Sequence, residues 1–190
     1  TNSCAVIDPG CFFDEEKNKL KNFIVANNLT LQKILFTHCH LDHAFGAHFI
    51  WTEFKNIEVC AHKNEKLFID DAINQSLRFG IKMEQPPKIS HYINHGDVIS
   101  VGNLNLVAIH VPGHSSGSIC YYHADSQSLI CGDVLFAGSI GRSDLPGGNQ
   151  QLLISGIKER LLVLPNETIV YSGHGPTTTI LAEKNTNPYL

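Results

Sequence analysis

The sequence lacks the long apolar run that a membrane-spanning helix needs. No stretch approaches the roughly 18 consecutive apolar residues that cross a bilayer. It also lacks a run of Lys or Arg, and the formal net charge is -4 at pH 7. Because binding to phosphates depends on clustered cations, neither nucleic acid nor a membrane is expected as a partner.

Closely spaced cysteine pairs are absent as well. The six cysteines are irregularly spaced and form no Cys-x-x-Cys pair. No signal peptide opens the sequence, which begins on a strand-like segment, so we expect the chain to start inside a longer gene product. Reduced thiols and a cytoplasmic location are therefore expected. No sequence feature indicates an oligomeric state.

The length and composition fit one globular domain over residues 1–190. A chain of 190 residues can bury a sizeable core, and its 43% hydrophobic and 17% charged content is ordinary for such a domain. The hydrophobic periodicity predicts βαβα at the beginning, a strand-rich middle and βα at the end. Two sheets covered by helices fit this order better than a doubly wound parallel sheet.

The periodicity also gives expected boundaries. We expect an insertion with helical pieces at 62–88 and a glycine-rich loop at 138–148. Strands are predicted at 3–8, 33–37, 57–61, 91–94, 97–101, 104–111, 117–123, 128–132 and 167–173, and helices at 14–28, 44–54, 149–163 and 176–185.

One short stretch, THCHLDHAFG, concentrates titratable side chains at His38, His40, Asp42 and His43. Imidazole and carboxylate are the usual protein ligands of zinc, iron and manganese. Four such groups would repel one another and resist burial unless a cation gathered them. The stretch therefore predicts a metal site. His38 and His40 are candidates for one ion, and Asp42 and His43 would face a second position. Cys39, between two candidates, is expected to pack in the core.

Three later positions have the same character. His114, Asp133 and His174 each follow an apolar strand, and each has a glycine neighbour that lets the backbone approach a site closely. Together with the earlier cluster they could supply ligands for two metal ions. Among the other histidines, His62 is the strongest candidate for a role at the site.

This constellation resembles the metal-binding pattern of the metallo-β-lactamase-fold hydrolases over nearly the whole chain. The segments DVLFAGSIGRSDLPGG, SGHGP and EKNTNPYL resemble the glyoxalase II-like hydroxyacylglutathione hydrolases of the short, single-domain kind. The resemblance implies an αββα sandwich, an α/β fold that some schemes class as α+β. It also implies that the family's first amino-terminal strand is missing.

The resemblance further implies a binuclear site with two divalent metal ions, zinc being preferred over iron or manganese. The implied reaction is hydrolysis of a small-molecule thioester such as S-lactoylglutathione by a metal-bridging hydroxide. Asp42 would also act in catalysis by orienting the nucleophile. The implied ligands are His38, His40 and His114 for the first ion, Asp42, His43 and His174 for the second, and Asp133 as a bridge.

The chain departs from the glyoxalase II pattern in two ways. The usual glutathione-binding helical domain has no counterpart, and Gly141-Arg142-Ser143-Asp144 replaces the family's Lys and Tyr after the bridging aspartate. Arg142 is therefore a candidate for substrate binding, since its guanidinium can pair with a carboxylate through two hydrogen bonds. Alternatively, Arg142 pins the loop to Asp144.

Two alternative functions share the fold. A mononuclear iron sulfur dioxygenase, acting on persulfides, resembles the chain in HCHxDH and GR-x-D, and would hold iron through His38, His114 and Asp133. The GHGP segment around His174 favours the hydrolases instead. The second alternative is a metal-binding scaffold without catalysis, and the complete set of ligand positions argues against it.

A third alternative is a serine hydrolase. The segment 113–117 matches G-x-S-x-G around Ser115, and Asp133 and His174 follow in the order of a catalytic triad. A nucleophile elbow needs a helix after the serine, whereas GSICYYHA is typical of a strand. This alternative also leaves the cluster at 38–43 without a role.

We predict that a chelator abolishes hydrolytic activity and that a serine-directed phosphonate leaves it unchanged, because the metal site and not Ser115 carries the chemistry. The measurements are activity after chelation and the protein mass after phosphonate treatment. Covalent labelling of Ser115, with activity intact in chelator, would overturn the metal interpretation.

Overall fold

The computed structural model describes residues 1–190. The chain forms two compact units, one of Thr1–Tyr92 with Val101–Asn103, the other of Ile93–Ser100 with Leu104–Leu190. Each unit contains both sheet and helices, which confirms the predicted mixed α/β class. No helix is both long enough and apolar enough to pass through a bilayer.

The first unit is built on a four-stranded sheet in the order β1-β2-β3-β4, and all its strand pairs are parallel. The carboxyl ends of these strands therefore share one edge of the sheet. Its elements are β1 (Ser3–Ile7), α1 (Asp14–Ala26), β2 (Thr30–Leu35), α2 (Leu41–Ala44), α3 (Ala47–Glu53), β3 (Glu58–Ala61), a 3₁₀ turn (Lys63–Glu65), α4 (Lys66–Asp70), α5 (Ala72–Arg78) and β4 (His91–Tyr92).

The core of the first unit is centred on β2. Parallel strands are buried on both faces and so read as continuous apolar runs. Ile34, Leu35 and the following Phe36 accordingly have no exposed surface. Ile24 of α1 and Ile50 of α3 belong to the same apolar cluster as Ile34 and Phe36. This packing fixes the end of β2, from which the histidine cluster begins.

The helix predicted at 44–54 is two helices in the structure. It begins earlier, at Leu41, and Gly46 separates α2 from α3. The Gly46 amide donates to the Pro9 carbonyl at 2.7 Å, and a Cβ at Gly46 would lie 2.9 Å from that oxygen. The close approach of the loop after β1 thus ends α2 and places Asp42 and His43 on a short helix.

The second unit contains a six-stranded sheet in the order β12-β11-β8-β7-β6-β5 and a two-stranded sheet of β9 and β10. Its elements are β5 (Val98–Val101, of which only the last residue belongs to the first unit), β6 (Leu104–His110), β7 (Ile119–His123), β8 (Ser128–Gly132), β9 (Leu135–Phe136), β10 (Ser139–Ile140), α6 (Gln150–Gly156), a π-helical turn (Ile157–Leu161), β11 (Ile169–Ser172), β12 (Thr178–Thr179) and α7 (Ile180–Thr186).

Strand direction brings three chain segments of the second unit to one edge. β6 and β8 are both antiparallel to β7, and β11 is parallel to β8. β6, β8 and β11 therefore run in the same direction and end at the same edge of the sheet. The residues that follow these strands carry His114, Asp133 and His174.

Two predicted helices differ from the structure in detail. The helix expected at 149–163 starts after Asn149, whose side chain caps it by accepting from the Leu152 amide at 3.0 Å, and its last part is π-helical. The helix expected from 176 starts only at Ile180. A short strand, β12, precedes it, and the Thr179 hydroxyl caps it by accepting from the Ala182 amide at 3.2 Å.

The buried cysteines belong to the cores, as the sequence predicts. Cys60, Cys120 and Cys131 are at most 1% exposed, and all six cysteines are free thiols. Burial raises the pKa of the Cys60 thiol to about 11 and that of the Cys131 thiol to about 12. These thiols therefore stay protonated near neutral pH and behave as small apolar side chains.

Adjacent leucines of α6 provide a test of the second core. Leu153 has no exposed surface, whereas Leu152 is 51% exposed. We predict that Leu153→Ala lowers the free energy of unfolding by about 2–5 kcal/mol, because a cavity replaces buried methyl groups. Leu152→Ala, the matched control, should change it by less than about 0.5 kcal/mol. Urea unfolding measures both, and equal effects would contradict the assigned packing.

Candidate metal centre

The first group of candidate ligands lies at the carboxyl edge of the four-stranded sheet. His38 and His40 follow β2, and Asp42 and His43 lie on α2. The ring centroid of His38 lies 4.6 Å from that of His40 and 4.0 Å from that of His43. His38 is 1% and His43 4% exposed. The structure thus brings together the imidazoles that the sequence predicted as ligands within this unit.

Asp8 holds this group in place. Its Oδ1 accepts from the Thr37 amide at 2.7 Å, and its Oδ2 accepts from the Thr37 hydroxyl at 2.6 Å. His43 Nδ1 lies 3.0 Å from the same Oδ2. Because a carboxylate can only accept, His43 carries its proton on Nδ1, and Nε2 is the nitrogen that could bind a metal.

Thr37 fixes the tautomer of His38 in the same way. The single hydroxyl proton of Thr37 is donated to Asp8, so its oxygen acts as an acceptor toward His38 Nδ1, 3.1 Å away. His38 therefore also carries its proton on Nδ1 and would bind a metal through Nε2. One carboxylate and one hydroxyl together set the tautomers of two candidate ligands.

Asp8 is not recognisable as a site residue from the sequence, where it marks only the end of the first strand. The available signal was topological, because β1 is the parallel neighbour of β2 and the two strands end at the same edge. Asp8 also has a positive φ of 48°, a conformation that aspartate tolerates better than most residues. It lies with His38 and His43 in a group whose ligand atoms are within 4.8 Å of one another.

Cys39 and His62 have structural roles next to this group. Cys39 is 1% exposed and belongs to the apolar core, which confirms its predicted packing role. Its amide donates to the buried Glu65 carboxylate at 2.8 Å. His62 Nδ1 accepts from the Asn64 amide at 3.3 Å and so caps the 3₁₀ turn after β3.

The second group consists of His114, Asp133 and His174, at the shared edge where β6, β8 and β11 end. Asp133 Oδ2 lies 3.8 Å from His114 Nε2 and 3.7 Å from His174 Nε2. These separations are too long for direct hydrogen bonds. They match two ligands of one cation, since atoms each about 2.0–2.2 Å from an ion lie about 3–4 Å apart.

A loop across this group orients His114. The Arg142 carbonyl lies 2.8 Å from His114 Nδ1, so Nδ1 donates to it and Nε2 faces Asp133. Gly141 makes the crossing possible, because a Cβ there would lie 1.8 Å from the Asp133 carbonyl oxygen. Backbone atoms of the loop, rather than its side chains, therefore fix the ring.

The Arg142 side chain points to a different partner. Its Nε and Nη2 donate to the two carboxylate oxygens of Asp144 at 2.8 and 2.9 Å. This pairing lowers the pKa of Asp144 to about 2. Of the two alternatives drawn from the sequence, the structure contains the one in which Arg142 pins its own loop.

The serine hydrolase alternative is wrong. Ser115 has no exposed surface, and the chain after it enters strand β7 at Ile119 rather than a helix. The residues of the metal alternative, in contrast, fit divalent cations. His38, His43 and His114 each engage Nδ1 with an oxygen, the arrangement typical of metal-binding histidines.

Comparison with known proteins gives a consistent family. The sequence profile of the metallo-beta-lactamase superfamily matches residues 1–174. The chain is 42% identical to the probable metallo-hydrolase YqgX of Bacillus subtilis, over 100% of this chain and 88% of that protein. It is 34% identical to the hydroxyacylglutathione hydrolase GloC of Haemophilus influenzae, over 99% of this chain and 87% of that protein.

Solved structures are similar over nearly the whole chain. The BLEG-1 B3 metallo-beta-lactamase is 38% identical with a TM-score of 0.88, covering 98% of this chain and 88% of that one. TTHA1623 in a di-iron-bound form is 34% identical with a TM-score of 0.84, covering 97% and 88%. ETHE1 from Myxococcus xanthus is 27% identical with a TM-score of 0.80, covering 99% and 74%. These similarities confirm the fold expected from the sequence.

We predict that Asp8→Asn weakens zinc binding about 10- to 100-fold, because either orientation of the new amide sets a donor against an existing donor of Thr37 or His43. Titration of the metal-free protein against a chromophoric chelator measures the dissociation constants. Asp14→Asn, at a side chain that is 86% exposed, is the control and should bind zinc normally. An unchanged dissociation constant in Asp8→Asn would contradict the orienting role.

Proposed function

The chain belongs to the metallo-beta-lactamase superfamily, and from that premise we propose that it hydrolyses thioesters such as S-lactoylglutathione with the help of bound metal ions. The observation that carries the proposal is the fixed orientation of the candidate ligands. In each unit histidines at the carboxyl ends of strands are held through Nδ1, and a carboxylate lies beside them. The 34% identity to GloC supports the choice of substrate.

We assign the ligands as the sequence predicts, in a binuclear site. His38, His40 and His114 would hold the first ion, and Asp42, His43 and His174 the second, with Asp133 as the bridge. Histidine and carboxylate donors accept zinc, iron and manganese alike. Zinc is the preferred occupant, and the di-iron form of TTHA1623 makes iron the first alternative.

The chain's own residues would prepare the reaction as follows. When bound, two divalent ions supply a water of lowered pKa and polarise the thioester carbonyl. The exposed Asp42, whose Oδ2 is 3.7 Å from His43 Nε2, accepts a hydrogen bond from the attacking water and orients it. Asp8 and the Arg142 carbonyl keep the imidazoles from rotating. The leaving thiol has a pKa of about 8.5, so departure needs no strong general acid.

Arg142 remains the candidate for recognising the substrate. Its side chain is 61% exposed, and its bidentate partner Asp144 is 70% exposed. An exposed ion pair of this kind contributes little to stability. A substrate carboxylate can therefore replace Asp144 at small cost and receive the same two hydrogen bonds.

The proposal places the reaction in the cytoplasm, with a small-molecule thioester as partner and neither nucleic acid nor membrane. The support is the set of free thiols, because disulfides are rare in cytoplasmic proteins. The absence of clustered cations in the sequence supports the lack of a polyanionic partner.

Two other activities have specific support. The iron dioxygenase alternative rests on the GR-x-D segment at 141–144 and on the similarity to ETHE1. β-Lactam hydrolysis rests on the similarity to BLEG-1, which is described as a B3 metallo-beta-lactamase. Both use the same fold, so an assay has to separate them.

We predict that purified protein hydrolyses S-lactoylglutathione, loses turnover in chelator and regains it with zinc, iron or manganese. His114→Ala and Asp133→Ala should fall to the background rate with unchanged circular dichroism, because each removes a proposed ligand. His91→Ala, at an exposed histidine of β4, is the matched control and should keep normal turnover.

The same assays decide between the alternatives. Oxygen uptake with glutathione persulfide, without thioester hydrolysis, would replace the proposal by the dioxygenase. Cleavage of a chromogenic β-lactam in place of the thioester would replace it by the lactamase. Metal binding without any of these activities would favour the alternative of a metal-binding scaffold without catalysis.

A further inference from the structure

A buried carboxylate on the last helix takes no part in the proposed chemistry. Glu183 of α7 is 2% exposed. Its Oε1 accepts from the Thr178 hydroxyl at 2.5 Å, and its Oε2 accepts from the Gly138 amide at 3.0 Å and from Asn187 Nδ2 at 2.7 Å. The carboxylate therefore links α7 and β12 to the loop that follows β9.

Asn187 adds a second tie to the same loop. It is 6% exposed, and its Nδ2 also donates to the Ser139 carbonyl at 3.0 Å. Its Oδ1 accepts from the Tyr189 amide at 3.0 Å. Two consecutive loop residues, Gly138 and Ser139, are thus bound through their backbones by one pair of side chains.

The loop leads directly to the second group of candidate ligands. Ser139 and Ile140 form β10, which pairs with β9, and the Gly141 amide donates to the Val134 carbonyl at 3.2 Å. Gly141 then passes over the backbone of Asp133, and the Arg142 carbonyl accepts from His114 Nδ1 at 2.8 Å. Three residues lie between Gly138, where Glu183 binds the loop, and Arg142, whose carbonyl orients the His114 ring.

The energetics favour a geometric role for Glu183. Burial of a charge costs several kcal/mol before its hydrogen bonds offset it, and apolar side chains of similar volume often stabilise a protein as well or better. Glu183 instead accepts three directed hydrogen bonds, from Gly138, Thr178 and Asn187. Together these bonds select one conformation of the loop.

We propose that Glu183 and Asn187 form a clamp that positions His114 and Asp133 for metal binding by fixing residues 138–142. Both are positioning residues, since neither is among the candidate metal ligands. The inference rests on the proposed role of His114 as a metal ligand. Without the clamp the loop samples other conformations, the Arg142 carbonyl leaves His114 Nδ1, and the imidazole turns away from its ligating orientation.

Four variants separate positioning from general destabilisation. Asn187→Ala removes the two hydrogen bonds that Nδ2 donates, to Glu183 and to the Ser139 carbonyl. Glu183→Ala removes all three hydrogen bonds that its carboxylate accepts. Glu183→Gln is the conservative variant, because its carboxamide oxygen can accept from Gly138 and Asn187 while its NH₂ group donates to the Thr178 hydroxyl. Thr178→Val is the matched control, since it removes a partly buried hydrogen bond to Glu183 without removing one to the loop.

Three measurements on the full-length, metal-free protein are compared. They are the zinc dissociation constants, the melting temperature, and the amide hydrogen exchange of residues 138–142. In Asn187→Ala and Glu183→Ala we expect one zinc dissociation constant to rise about 10- to 100-fold and the exchange of the loop amides to accelerate. Glu183→Gln should bind zinc nearly as tightly as the wild-type protein. Thr178→Val should lower the melting temperature while zinc binding stays unchanged.

The outcomes distinguish this inference from the proposed function. Normal zinc binding and normal loop exchange in Asn187→Ala would overturn the clamp while the function stands. An equal loss of zinc affinity in Thr178→Val would overturn it too, because general destabilisation would then explain the effect. A wild-type protein that binds no zinc, iron or manganese would instead overturn the proposed function. If Glu183→Ala fails to fold, Asn187→Ala and Glu183→Gln carry the test.

Discussion

An imidazole has two nitrogens, and it serves as a well-aimed metal ligand only when the nitrogen that does not bind is held by something else. The candidate centre depends on this constraint. In the first unit Asp8 and Thr37 hold His43 and His38, and in the second the Arg142 carbonyl holds His114. The remaining architecture of the site supplies these acceptors at the right places.

Strand direction is the means by which the acceptors reach the rings. In the first unit Asp8 and the histidine cluster follow neighbouring parallel strands, so residues far apart in sequence meet at one edge. In the second unit β6, β8 and β11 run in the same direction and end together. Glycine then allows the covering loop to come close, as Gly141 does above Asp133.

The sequence predicted what local patterns encode. The cluster at 38–43, the strand before each later ligand and the α/β class were found because histidine density and hydrophobic periodicity are local signals. Asp8 was missed because its partner Thr37 follows the neighbouring strand and lies 29 residues away in the sequence. Glu183 was missed because its contact with Gly138, 45 residues away, depends on how α7 packs. The break at Gly46 arises from a contact with Pro9 that periodicity does not register. The assignment of seven metal ligands and a single domain stays a prediction.

The backbone and the side chain of Arg142 have different partners. The contact that orients His114 comes from the main-chain carbonyl, whereas the exposed guanidinium turns to Asp144. Every amino acid offers that carbonyl, so replacement of the side chain leaves the hydrogen-bond acceptor of the imidazole in place. Evolution can therefore alter the side chain at this position without disturbing the candidate metal ligand that the carbonyl orients. The orientation of the His114 imidazole and the chemistry of the exposed side chain can therefore change independently at Arg142.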